Sequence, residues 1–249
     1  MTPKEVTMKT KLRIAALLAL AVFSLALAAV PAAAQGIGLL YDNGPWNSYY
    51  AGVQTSTPIV ITNQMQLTDN GFGGRRHYAN SFSFPAWVIS PDTVGCVTWS
   101  IDTQPFGTLH NPPTANHHYG GGTACSPTDV SSVLLWSTVI WQDTWDIYEV
   151  TVSFPDVNLP PETLNGCPSC SLGAPTVYLT IRANSSSGGL MGWQMNNAKG
   201  ALGNNGSGGG VSNTAYSCDL SKGPTCNAGN ANVQTLTYSE SFSVTGYDQ

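Results

Sequence analysis

The sequence predicts an all-β protein: an antiparallel β-sandwich, jelly-roll-like, with long disulfide-tied loops. Three observations carry that expectation. Apolar and polar residues alternate with a period of two in several stretches, turn-forming residues separate those stretches, and no helical periodicity of useful length follows residue 34. Roughly eight to ten strands fit between the turns, without an internal repeat.

The stretch Val133 to Phe154, VLLWSTVIWQDTWDIYEVTVSF, is the longest apolar and aromatic run after the N-terminal segment. In its second half Tyr148, Val150, Val152 and Phe154 share one parity and Ile147, Glu149, Thr151 and Ser153 the other, the pattern of a half-buried strand. Its first half, Val133 to Trp141, is nearly all apolar, as expected of a strand covered on both faces. Gln142-Asp143-Thr144 is the polar break between them, so the pair reads as the central hairpin of the fold.

Around it the other elements follow in order. Leu39-Leu40-Tyr41 precedes the turn signal Asp42-Asn43-Gly44-Pro45. Strands are expected over Pro58 to Leu67, over Tyr78 to Val88 with Phe82, Phe84 and Ala86 on one face, and over Cys96 to Ile101 with Val97 and Trp99 together. Pro105 to Pro127, with its Gly120-Gly121-Gly122 run, reads as a long loop, and Pro155 to Pro175 as a second turn-rich excursion. Thr176 to Ala183, with Val177, Leu179 and Ile181 in phase, is a strand. A turn at Ser185 to Gly189, a short strand over Leu190 to Met195, a glycine- and asparagine-rich segment over Lys199 to Gly210 and a closing strand over Leu236 to Val244 complete the chain.

The first 34 residues read as a signal peptide and residues 35–249 as a single β-sandwich domain. Lys9, Lys11 and Arg13 form a basic region, Ile14 to Val30 an apolar one, and Ala32-Ala33-Ala34 a cleavage site before Gln35. A membrane anchor is the competing reading, which the immediate cleavage signal disfavours. The expected address is secreted, extracellular or periplasmic. Removal of the signal leaves five basic against thirteen acidic residues, a net charge of −8. That balance argues against nucleic acid and anionic membranes as partners. Cys96, Cys125, Cys167, Cys170, Cys218 and Cys226 all follow the cleavage site, an even count that reads as three disulfides in an exported chain. Six cysteines allow fifteen pairings; local pairing, 96–125, 167–170 and 218–226, is the reading adopted. A redox role for Cys167-Pro168-Ser169-Cys170 would need a helix N-terminus that its surroundings do not offer.

Several segments also resemble the secreted bacterial β-sandwich domains of PEP-CTERM and choice-of-anchor proteins. LLYDNGP is similar to their opening, GFGGRRHYANSFSF to their glycine-phenylalanine turn, TVYLTIRANSSSGGLMGWQ to a strand pair, and ESFSVTG to their last strand. The resemblance implies the sandwich fold and the exported address. Asn80-Ser81 stands where those domains carry paired aspartates, and the chain ends at Gln249 without their sorting anchor. Most such proteins carry no assigned activity, so the resemblance implies no reaction.

Candidate sites fall into four groups. Trp46, Tyr49, Tyr50, Trp141 and Trp145 could stack on the apolar faces of pyranose rings, against the reading that they cover the core. Glu149 and Glu240 are the strand carboxylates a jelly-roll glycosidase would use; Glu240 shares parity with Leu236, Tyr238, Phe242 and Val244, whereas Glu149 lies on a polar face. His110, His117 and His118 are imidazoles close enough in sequence for zinc or copper, with His77 apart, against a solvated polar loop. Asp42, Asn43, Asp69 and Asn70 offer turn oxygens for a structural calcium; otherwise no cofactor is expected. The resulting expectation is a non-catalytic extracellular binding module for a glycan or matrix partner, with a secreted glycoside hydrolase and a purely structural surface protein as alternatives.

Overall fold

Two long strands organise the molecule. β4 (His77–Ile89) and β8 (Asp143–Asn158) pair antiparallel over most of their length, from Tyr78 opposite Asn158 to Ile89 opposite Trp145. The computed structural model describes residues 38–42, 52–66, 77–109, 118–159, 176–194, 215–227, 229–236 and 241–248, all within the unit Ile37–Gln249. On its other side β8 pairs with β7 (Val130–Ile140). The opposite edge of β4 is shared end to end by β13 (Ser243–Asp248) and β10 (Met191–Gln194). β1 (Gly38–Asp42) lies on β13, and β2 (Gly52–Gln54) on β10. Pro85 falls in the gap, beyond the Ser83–Ser243 pair and before Ala86–Trp193, a place where a missing ladder donor is tolerated.

The second sheet runs β12 (Val233–Thr235), β11 (Ala215–Asp219), β3 (Ile59–Gln66), β9 (Thr176–Ser185), β5 (Val94–Asp102), β6 (His118–Ala124). Every described pairing in both sheets is antiparallel. The chain changes sheet between β2 and β3 at a corner where Thr55 donates its amide to Met191 and accepts from Ala183.

The alternating residues build the core as expected. Phe82, Phe84, Ala86, Val150 and Val152 of the first sheet face Val97, Trp99, Ile101, Val177, Leu179 and Ile181 of the second, all buried in one cluster. Aromatic rings join the layers, with Phe82 5.8 Å and Phe154 4.1 Å from Trp99. A smaller cluster of Val60, Phe106, Cys218 and Cys226 packs separately. Cys96–Cys125 ties β5 to the end of β6 across a Cα separation of 4.4 Å, and Cys218–Cys226 closes a short loop. A 29-residue loop of the first kind restricts the unfolded chain by roughly 3–4 kcal/mol in the chain-entropy picture. Cys167 and Cys170 lie outside the described residues. Among those described, no helix is long and apolar enough to cross a membrane.

Three expectations need correction. The stretch Val133 to Trp141 is not covered on both faces and is not central: among the described residues β7 is an edge strand, and Val133, Leu134, Leu135, Val139 and Trp141 are exposed. Apolar character alone does not distinguish a buried strand from a sticky edge. The long loop read over Pro105 to Pro127 contains β6, hidden by its three glycines. A Cβ at Gly120 would come within 2.6 Å of Val157, and one at Gly121 within 2.8 Å of the Trp99 carbonyl, so close neighbours account for two of the three glycines. Asp42 closes β1 opposite Ser243 instead of standing in a turn. The turn at Ser185 to Gly189 is present, and hydrogen bonds from Ser185, Ser186 and Ser187 hold the Asp92 carboxyl well below the usual carboxylate range.

The glycine run makes a graded prediction. Gly122 has open space where a Cβ would go, so Gly122→Ala should change stability by less than about 0.5 kcal/mol. Gly120→Ala and Gly121→Ala should each cost about 1–3 kcal/mol through forced shifts, read as lower urea midpoints with an unchanged slope.

Candidate functional site

The face of the first sheet turned away from the core carries the odd-numbered residues of β4 from Ser81 to Ile89 and of β8 from Asp143 to Ser153, among them Trp87 and Trp145. Trp87 of β4, Trp145 of β8 and Trp136 of β7 cluster there, with ring centroids 6.4 Å (Trp87–Trp145) and 6.5 Å (Trp87–Trp136) apart and planes near 67°. Such edge-to-face packing fixes the rings. Beneath them Ile147 is fully buried although it lies outside the sandwich core. Gly192 of β10 pairs with Trp87, and the Trp87 indole donates to the Gln194 side chain. These contacts leave a cleft of about 390 Å³ lined by Trp87, Trp145, Trp141, Gln54, Asp143 and Leu190 among others.

The hairpin tip forms one wall. Ile140 pairs with Asp143, so Trp141 and Gln142 are the two turn residues, with φ of 49° and 82°. Positive φ at both positions of a two-residue loop is the type I′ pattern, which normally selects asparagine and glycine. A tryptophan there is unusual and strained. It is also 94% exposed, so neither local geometry nor core packing accounts for its presence. The sequence placed the break one residue late, at Gln142 to Thr144.

Electrostatically the cleft is sparse. Among the described residues Asp143 is its one charged lining group, and Gln54 supplies an amide. Glu149 stands on the same outer face, opposite Pro85 and Val133. It is half-buried, and burial pushes its carboxyl above the ordinary value of 4.5, where the sequence led us to expect a solvated glutamate. Glu149 and Asp143 are six residues apart along one strand, hence roughly 20 Å, too far to act as a glycosidase pair. Glu240 lies outside the described residues, as do Trp46, Tyr49, Tyr50, His110, His117, Asn43, Asp69 and Asn70.

His118 opens β6 and its Nδ1 is 2.7 Å from Oδ1 of buried Asp102, while the Ser100 hydroxyl donates to Asp102 Oδ2 at 2.6 Å. Burial pushes the Asp102 carboxyl up, against the lowering effect of the Ser100 and His118 hydrogen bonds. The arrangement pins β6 to β5. Because Ser100 bonds the carboxylate and not the imidazole, it is not a nucleophile–base pair. His77 is buried at the start of β4, away from a loop position. Among the described residues no three of His, Cys, Asp and Glu gather as a metal-ligating group.

The structure therefore brings Trp141 and Trp145 together and adds Trp87, Trp136, Gln54 and Gly192, which the sequence reading did not single out. The available signal was parity: Trp87 is out of phase with Phe82, Phe84 and Ala86, and so belongs to the other face. Comparison of the chain with protein-family models, curated proteins and solved structures finds no match.

The perturbed Glu149 gives a pH prediction. Its raised folded value means that the unfolded chain releases the proton first as pH rises through 4.5. Stability is then lost between 4.5 and the folded value. Glu149→Gln should match the wild-type melting temperature at pH 3 and equal or exceed it at pH 7; a lower melting temperature at pH 7 would show that the carboxylate is favourably partnered.

Proposed function

We propose that the protein is a non-catalytic extracellular binding module whose outer-face tryptophan cleft takes a neutral glycan. The carrying observation is the cleft of about 390 Å³ that Trp87, Trp141 and Trp145 line together with Gln54 and Asp143. Small-ligand sites are concave, mainly apolar and equipped with a few polar groups that orient the ligand. Indole faces suit the C–H face of a pyranose, and Gln54 and Asp143 suit its hydroxyls. With no Lys or Arg among the described lining residues, uronic and sialic acids are disfavoured. The strain at Trp141 fits a residue kept for contact. Export through a cleaved signal, and kinship with jelly-roll-like, PEP-CTERM-type domains, belong to the same proposal. The disulfides suit an oxidising compartment.

A glycan array carrying neutral and acidic oligosaccharides tests this reading, and binding confined to neutral structures is expected. Trp141→Gly should weaken that binding by roughly tenfold or more while leaving the melting temperature unchanged or higher, because glycine relieves the left-handed backbone. Trp145→Ala should weaken it to a similar degree. Silence across the array would overturn the glycan reading in favour of a structural surface protein.

A further inference from the structure

β7 is the outer strand of the first sheet among the described residues, and its outer edge has unusual chemistry. Its eleven residues, VSSVLLWSTVI, contain no charge and no proline. Val133, Leu134, Leu135 and Val139 are 64, 51, 42 and 68% exposed. They lie on both faces of the strand, since Val133 is opposite Glu149 and Leu134 opposite Tyr148. Edge strands are ordinarily protected by lysine, proline, brevity or a bulge. β7 has only the bulge at Leu135, where the register shifts between Leu134 and Trp136.

We propose that β7 is a homodimerisation strand: two copies pair β7 antiparallel across a two-fold axis and fuse their first sheets into one. An antiparallel partner of the same sequence makes an isologous contact. Full overlap places the bulge at Leu135 close to the axis. Copies carrying a net charge of −8 after loss of the first 34 residues can meet along this neutral strand without opposed like charges. A foreign peptide of either sign gains no electrostatic attraction there. A paired length of about 37 Å, with the exposed aliphatics covered, buries roughly 1,000 Å² over both copies, the lower limit for a specific interface.

The two-fold stands perpendicular to the fused sheet, so both outer faces point the same way. The two tryptophan clefts then share one surface, a bivalent arrangement for a repetitive glycan. That consequence rests on the proposed glycan reading; the pairing itself does not.

Sedimentation velocity of the purified protein over a concentration series tests the pairing. A monomer–dimer equilibrium is expected, weakened by roughly tenfold or more in the Val133→Lys/Val139→Lys variant, whose exposed positions should leave the far-UV spectrum and melting temperature unaltered. Hydrogen exchange of the wild type at two concentrations gives a second readout independent of variant folding: β7 amides not bonded to β8 should exchange more slowly at the higher concentration. A monomer at every concentration, or a dimer indifferent to the lysines with β7 exchange unchanged, would overturn the proposal. In the same preparations, a wild-type dimer that binds no oligosaccharide would sink the glycan reading and leave the dimer standing. Lysine variants that keep single-site affinity for a short oligosaccharide but lose retention on a polymeric one would support both.

Discussion

The structure depends on the register between β4 and β8. Because side chains alternate along a strand, a slip of one residue would exchange the two faces of the first sheet. In the observed register Phe82 pairs with Val152 and Phe84 with Val150, which loads the inner face, and Trp87 pairs with Ile147, which loads the outer one. The same hydrogen-bond ladder therefore builds the core and the tryptophan cluster. The inner face fixes the choice: Phe82, Phe84, Val150 and Val152 are fully buried, and burying such side chains is worth about 1.5–3 kcal/mol each.

What the inner face stabilises, the outer face uses. Ile147 and Trp87 are shielded without belonging to the sandwich core, because the indoles cover one another. The cover ends at the β7–β8 turn, where Trp141 occupies a left-handed backbone position. Local propensity, turn chemistry and solvent exposure all disfavour tryptophan there. Such disagreements between levels concentrate at functional positions.

The layering was legible in the sequence because period-two alternation is imposed directly by burial. Val177, Leu179 and Ile181, or Tyr148, Val150 and Val152, can be assigned to a face from their spacing alone. Both expected disulfides that fall on described residues are present, Cys218–Cys226 across a short loop and Cys96–Cys125 where β5 and β6 pair. The edge position of β7 was not legible: a largely apolar stretch such as Val133 to Trp141 looks the same whether a second sheet covers it or nothing does. Nor was β6, because glycines carry no pattern and their reason lies in Val157 and Trp99, distant in sequence. Of the aromatic site the sequence supplied Trp141 and Trp145. Trp87 could be assigned to the outer face by its parity, but its meeting with Trp145 and Trp136 depends on the strand register, with its bulge at Leu135, which no local pattern encodes.

Seven tryptophans make the assignment of faces measurable in one experiment. Hydroxyl-radical footprinting with and without a mixture of neutral oligosaccharides, read residue by residue by mass spectrometry, tests it directly. Among the described tryptophans Trp141 should oxidise fastest and Trp193 slowest, with sugar protecting Trp141 and Trp145 while leaving Trp99 and Trp193 unchanged. Oxidation of Trp99 or Trp193 as rapid as that of Trp141 would contradict the register, and with it the site built on that face.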